Sequence, residues 1–316
     1  MSNRRLFLRQ TGAFALGTLL IPSCANNSNT SSSTKDSSVA DSSMAAGSAA
    51  TGNVGPIGVQ LWSVKDVLEK DIAGTIKKLS AIGYKEIESY PGEKGHYYGM
   101  EPKEFKKLLE DNGMKLISSH VGSGTKNGKA DTWHQATLLQ KFDELVEHAA
   151  ETGQEYLTCS WLDESLRGDL KGMADLFNTA GEKCKKGGLQ FAYHNHDFEF
   201  KKAGDGLLYD YMLDHTDKDL VKYEMDMYWV VRGGQDPVAY FNKYPNRFPL
   251  GHVKDMDKQD QSKNTEIGKG SINFAEILKT AKQNGMKHFI IEQESFTMPS
   301  IQSMKEDYEY MAHLTI

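Results

Sequence analysis

The stretch FAYHNHDFEF, residues 191–200, places His194 and His196 around an asparagine directly after an apolar run, then adds Asp197 and Glu199. Imidazole nitrogens and carboxylate oxygens at that density bind a divalent cation or move protons. Groups of the same kind recur behind other short apolar runs: Glu88, His120, Glu224 with Asp226, His252 with Lys254 and Asp255, and Glu292 with Glu294. No thiolate accompanies them, so the donor set suits one divalent ion (Mn, Co, Zn, Fe or Mg) in a mixed nitrogen and oxygen site. Several ionisable groups gathered at one place would repel or be costly to desolvate, and a divalent cation compensates them most simply.

The elements that would gather them are announced by glycine. Five times a helix-period segment closes on glycine and leads into a β-branched or aromatic run: KKLSAIGYKEIES (77–89), KLLEDNGMKLISSH (107–120), HAAETGQEYLTCS (148–160), CKKGGLQFAYHNH (184–196) and TAKQNGMKHFIIEQE (280–294). Glycine closes helices in the left-handed conformation, and the apolar run then reads as a buried strand. PIGVQLWSV (56–64), LVKYEMDMYW (220–229) and FPLGHVKDM (248–256) supply three further strands. Strand starts near residues 57, 85, 115, 155, 189, 221, 249 and 288 predict eight βα units. That makes the chain α/β in class, a (β/α)8 TIM barrel over residues 56–316. No GxGxxG or P-loop follows the first strand, which argues against a dinucleotide-binding sheet.

In such a barrel the site lies at the C-terminal strand ends, and side chains of one parity point inward. That places Gln60 and Trp62 on strand one, Glu88 on two, His120 on three, and Ser160 beside Trp161 on four. Strands five to eight bring His194 and His196, Glu224 and Asp226, His252 with Lys254 and Asp255, and Glu292 with Glu294. These four strands are neighbours, so His194, Asp226, His252 and Glu292 are expected around one ion. His196, Glu224 and Glu294 sit one step along, as supports or bases, and Glu199 is expected at the rim. For Lys254 and Asp255 a surface ion pair is the competing reading.

Residues 1–23 pair Arg4 and Arg5 with a short apolar run ending Ile21-Pro22-Ser23 before Cys24. Basic residues ahead of a run too short to span a bilayer read as an export signal. It resembles a twin-arginine signal with a lipobox, which implies lipidation at Cys24 and a periplasmic, membrane-tethered lipoprotein. Residues 24–55 are Ser/Ala-rich and nearly free of large apolar side chains, a flexible tether with a reach on the order of 30 Å. Losing residues 1–23 removes three arginines and takes the formal charge from −6 to −9. Such a surface repels phosphate backbones, so no nucleic-acid partner is expected. Cys159 and Cys184 are expected as two separate buried thiols.

The motifs YHNHDFEF, MDMYWVVRGGQDP, GHVKDMD, EIGKGSINF and HFIIEQE, in order across residues 56–316, resemble the xylose isomerase-like barrels of the sugar phosphate isomerase/epimerase type, which share their architecture with the AP endonuclease family 2. The resemblance implies one divalent metal held by Glu, Asp, His and Glu from strands five to eight. Asp226, His252 and Glu292 match the last three. Where many relatives read Glu-Asn-His this chain reads His194-Asn195-His196, so His194 would replace the first glutamate and make the site richer in nitrogen.

The implied chemistry is proton abstraction beside a sugar carbonyl through an enediolate, with His120, His196 and Glu294 as acid or base. Trp62, Trp161 and Trp229 are candidates to stack on sugar faces, with core packing as the alternative, and Glu88 and Lys254 are candidate substrate contacts. Export disfavours a phosphorylated sugar, and Gly268-Lys269-Gly270 is the one candidate phosphate nest. Relatives of this kind include enzymes that cleave 3-keto-glycosides by β-elimination after a partner oxidoreductase has made the ketone. That lyase reading is placed ahead of an isomerase or epimerase acting on a free sugar. A non-catalytic sugar-binding lipoprotein and an endonuclease IV-like nuclease are the readings from other classes.

Overall fold

A computed structural model of the chain describes residues 54–128 and 136–316. The expected signal, Cys24 and nearly all of the tether lie outside the described residues. Eight parallel strands close into a barrel in sequence order: β1 (Ile57–Gln60), β2 (Glu86–Ser89), β3 (Lys115–Gly122), β4 (Tyr156–Trp161), β5 (Gln190–His194), β6 (Val221–Asp226), β7 (Leu250–Val253) and β8 (His288–Ile291), the last pairing with the first. Each starts within one residue of its expected position.

Eight helices alternate with the strands: α1 (Ile72–Ile82), α2 (Pro102–Asp111), α3 (Phe142–Thr152), α4 (Leu170–Lys186), α5 (Leu208–His215), α6 (Pro237–Lys243), α7 (Phe274–Gln283) and α8 (Ser300–His313). In α3 the buried residues Phe142, Leu145, Val146 and Ala149 recur at helical spacing and make a stripe that faces the barrel. The helix stops at Gly153, whose φ of 74° would strain a residue with a Cβ. In α4 Phe177 packs on the outward rings of β5, 5.6 Å from Phe191 and 4.9 Å from Tyr193 between centroids. Burying each such ring contributes roughly 1.5–3 kcal/mol.

The inner face of the barrel is layered. Ile117, Tyr156, Ala192, Leu250 and Ile290 form a separate apolar cluster inside it. Two residues further along three of those strands come His194, His252 and Glu292, so the alternation of a strand sets polar groups directly on an apolar floor.

Two strands are shorter than the sequence suggests. β1 ends at Gln60, whose side-chain oxygen accepts the Trp62 amide at 3.0 Å and turns Leu61–Val64 into a 3-10 helix. β6 ends at Asp226, whose Oδ1 accepts the Trp229 amide at 3.1 Å and starts the short helix Met227–Arg232. In both, a side-chain acceptor satisfies an amide that the ladder would otherwise use. Cys159 and Cys184 are buried and free. Among the described residues no helix is long and apolar enough to cross a membrane.

Candidate metal centre and its cavity

His194 closes β5, Asp226 closes β6, His252 lies within β7 and Glu292 directly follows β8. All four are buried, and one donor atom from each lies within 4.8 Å of the others. His252 Nδ1 stands 3.0 Å from Glu292 Oε2, 3.2 Å from His194 Nε2 and 3.7 Å from Asp226 Oδ2, and His194 Nε2 is 3.4 Å from Asp226 Oδ2. A tetrahedral ion with donors about 2.0–2.2 Å away would give edges of about 3.3–3.6 Å. The four residues therefore fit a divalent ion in number and donor type, and their spacings of 3.0–3.7 Å straddle those edges. Burial lowers the His194 imidazole to about 4, leaving it neutral and its lone pair ready for a cation. Asp226 keeps its carboxyl well below the usual range despite burial, held there by Lys254 first and then by the two histidines.

Lys254 is fully buried, its Nζ 2.6 Å from Glu292 Oε2, 2.9 Å from Asp226 Oδ2 and 3.3 Å from Glu294 Oε1. The carboxylates hold its ammonium well above its ordinary pKa against the cost of burial. The surface ion pair with Asp255 is thus not formed. Strand alternation turns the next side chain outward, and Asp255 accepts amide hydrogen bonds from Gly268 (2.9 Å), Gly270 (3.0 Å), Ile272 (3.1 Å) and Met256 (2.8 Å). The glycine loop that reads as a phosphate nest already encloses this carboxylate.

A second group, Glu88, His120, Glu224 and again His252, lies beside the first. His120 Nε2 is 2.9 Å from Glu88 Oε1 and 3.0 Å from Glu224 Oε2, and His252 Nε2 is 2.7 Å from Glu88 Oε1 and 3.5 Å from Glu224 Oε2. Running from 2.7 to 3.5 Å, these spacings are on the whole shorter than the 3.0–3.7 Å of the first group. Gln60 Nε2 also donates to Glu88 Oε1, at 2.8 Å. His252 thus presents Nδ1 to the candidate metal donors and Nε2 to Glu88, the arrangement by which a carboxylate fixes a ligating histidine's tautomer. Burial opposes the charge on His120, but Glu88 and Glu224 outweigh it and raise the ring to about 9. Glu224 itself is pushed up to about 7, by burial and then by the Glu88 charge.

Both groups border a cavity of about 240 Å³. His120, His194, His196, Glu292 and Glu294 line it together with Trp62, Tyr90, Pro91, Ser160 and Trp161. Burial lowers His196 well below its ordinary value, with His194 and Lys254 adding to the shift. Burial raises Glu294, against the pull of Lys254. A larger cavity of about 490 Å³ around Glu93, Lys94 and His148 shares Pro91 with it but contains none of its histidines or glutamates.

Glu88, Lys254 and Trp229, candidate substrate contacts on sequence, are not among the residues lining the smaller cavity. Trp229 packs 5.5 Å from His196 and 5.3 Å from the Lys254 ammonium. Glu199 does not reach the rim: the 3-10 turn Phe198–Phe200 folds it back under the site. There its carboxylate accepts the Tyr193 hydroxyl at 2.5 Å and the His196 amide at 2.9 Å. Tyr90 and Pro91 went unnoticed in the sequence because they lie in the loop after β2, where no periodicity marks inward positions.

A model of the xylose isomerase-like TIM barrel family matches residues 76–314. Among curated relatives, the inosose dehydratase of Lacticaseibacillus casei is 25% identical over 271 residues, covering 75% of this chain and 87% of that protein. Among solved structures, a sugar phosphate isomerase/epimerase from Parabacteroides distasonis superposes with a TM-score of 0.71 at 29% identity, over 83% of this chain and 98% of that one. A xylose isomerase-like TIM barrel protein from Mycobacterium smegmatis, solved in complex with magnesium, shares the fold at 15% identity with a TM-score of 0.59, over 82% of this chain and 96% of that one. With about three quarters of its length matched by the family model, the chain belongs to the xylose isomerase-like TIM barrel family.

Proposed function

We propose that this chain abstracts a proton beside the carbonyl of a sugar derivative at a divalent metal held by His194, Asp226, His252 and Glu292, and that it acts by β-elimination on 3-keto-glycosides. It is an enzyme of carbohydrate chemistry, as its dehydratase and isomerase/epimerase relatives are by name. The observation that carries the proposal is a buried four-donor cluster at metal spacing that opens on a cavity also holding two further histidines. A dehydratase expels water, which is itself an elimination, and this favours a lyase over an isomerase.

When bound, the ion supplies positive charge that stabilises an oxyanion developing on the substrate carbonyl. The protein supplies the proton transfers. His196, held neutral by burial, is the base that takes the proton from carbon. His120, held protonated by Glu88 and Glu224, is the acid that gives a proton to the departing glycosidic oxygen. The C–H and C–O bonds break, a C=C bond forms beside the carbonyl, and no redox partner is consumed in the step. Glu294 is tied to Lys254 and stands as an alternative base. Asp255 inside the Gly268–Gly270 loop favours an unphosphorylated substrate, since an anion already fills that nest.

The proposal extends to a cell-envelope setting, with the chain tethered through Cys24 and a separate oxidoreductase supplying the ketone. Analysis of the purified chain for metal, followed by incubation with a 3-keto-glucoside with and without chelator, tests it. Aglycone release that stops with chelator and returns with Mn or Co is the expected result. Bound metal without release transfers the reading to a sugar isomerase or epimerase, which the 29%-identical neighbour's name favours. A chain that binds no metal would be read as a sugar-binding protein.

A further inference from the structure

We infer that Trp161 forms an outer subsite that stacks on a ring carried by the reacting sugar, either an aryl group or a second pyranose. This rests on the reading of the site as one for substituted sugars. Trp161 ends β4, lines the cavity, and is 41% exposed; with Leu139 it is one of two exposed large apolar side chains among the described residues. Trp161 stands on the cavity lining beside the candidate centre, where a ring laid against its exposed face would bury apolar surface that the chain leaves in water.

The ring is also held in place. It meets His196 edge-on at 5.3 Å and Phe198 at 5.9 Å between centroids. The Arg167 guanidinium stands 5.0 Å from the Trp161 ring centroid and 3.4 Å from that of Phe198, and its Nε donates to the Leu162 carbonyl at 3.0 Å. A rigid aromatic platform loses little entropy on binding and takes rings flat, whether through π-stacking or through the C–H face of a sugar. The cavity volume fixes what must reach it. At about 240 Å³ it is smaller than the roughly 300–1,000 Å³ of sites for drug-sized ligands. A substituted sugar exceeds such a space, and Trp161, exposed on the lining, is placed to receive the part that extends outward.

The test is calorimetric binding of three unreactive glycosides, methyl β-glucoside, phenyl β-glucoside and cellobiose, to the metal-loaded full chain. Wild type is expected to prefer the phenyl compound, cellobiose or both over the methyl compound. Trp161→Ala should cut that preference about tenfold, and Trp161→Phe should restore most of it. A loss confined to phenyl glucoside assigns the subsite to aryl groups; a loss confined to cellobiose assigns it to a second sugar; a loss of both assigns it to rings in general. An unchanged preference in Trp161→Ala, an equal fall for methyl glucoside, or no binding by any of the three overturns the inference. Because none of these ligands is turned over, the outcome is independent of whether the 3-keto-glucoside assay succeeds.

Discussion

Glu88→Gln isolates the contribution of a residue that touches neither cavity nor metal. Glu88 Oε1 accepts from Gln60, His120 and His252, whereas Glu88 Oε2 has no hydrogen-bond partner among the described residues. A glutamine can therefore keep its oxygen where Oε1 lies and place its NH2 at the position of Oε2, with the fold intact. What changes is the charge behind the His252 Nε2–H and beside His120, of which only the first bears on the candidate metal donors. A hydrogen bond to a charged acceptor contributes about 1.5–3 kcal/mol and a neutral one about 0.5–1.5, a difference of roughly 1–1.5 kcal/mol. At about 1.4 kcal/mol per decade, that corresponds to a metal affinity near tenfold weaker, at the low end of the 10–100-fold seen for such supporting carboxylates. Competition against a fluorescent chelator, with zinc or manganese, reads it directly without any substrate. An affinity within twofold of wild type would refute the idea that Glu88 orients His252.

Two other substitutions probe the charge balance of the barrel. Lys254→Met leaves Asp226, Glu292 and Glu294 without their shared ammonium. Breaking a buried pair costs about 3–5 kcal/mol; at about 2–4 °C per kcal/mol, the metal-free melting temperature should fall by roughly 10 °C. Added metal should recover most of that loss in a thermal scan, and an unchanged metal-free melting temperature would contradict the assignment. Asp307 is pushed up to about 8, chiefly by burial, with Glu266 and Asp255 adding to it. The folded chain then keeps a proton that the unfolded chain releases near pH 4, so stability falls between about pH 4 and 8, by at most about 1.4 kcal/mol per unit. Asp307→Asn should flatten this slope, its advantage in melting temperature growing from pH 5 to 8; parallel curves would rule the account out.

Most of the barrel could be read before its structure because its signals are local. Gly153 and its counterparts stop helices, and the apolar runs that follow can only be strands buried on both faces. Inward parity then picked out His194, Asp226, His252 and Glu292, each within one residue of the end of a strand. The same parity separates Lys254 from Asp255, one turned into the barrel and the other into the loop at Gly268. Sequence could not say which nitrogen of His252 faces which carboxylate, since that depends on Glu88, 164 residues away. Nor could it place Glu199, because the turn that folds it inward has no repeat to betray it.

Asp226 divides its two oxygens between different duties. Oδ1 accepts the Trp229 amide that begins the helix Met227–Arg232, while Oδ2 stands among the metal donors. A chain in which that helical turn has not yet formed leaves Asp226 free to swing, and presents three fixed donors instead of four. Ion capture and completion of the turn are then one cooperative event, each raising the probability of the other. Such a site would ignore half-folded chains and hold an ion only once this part of the barrel is in place, so that a bound metal would act as a check on assembly.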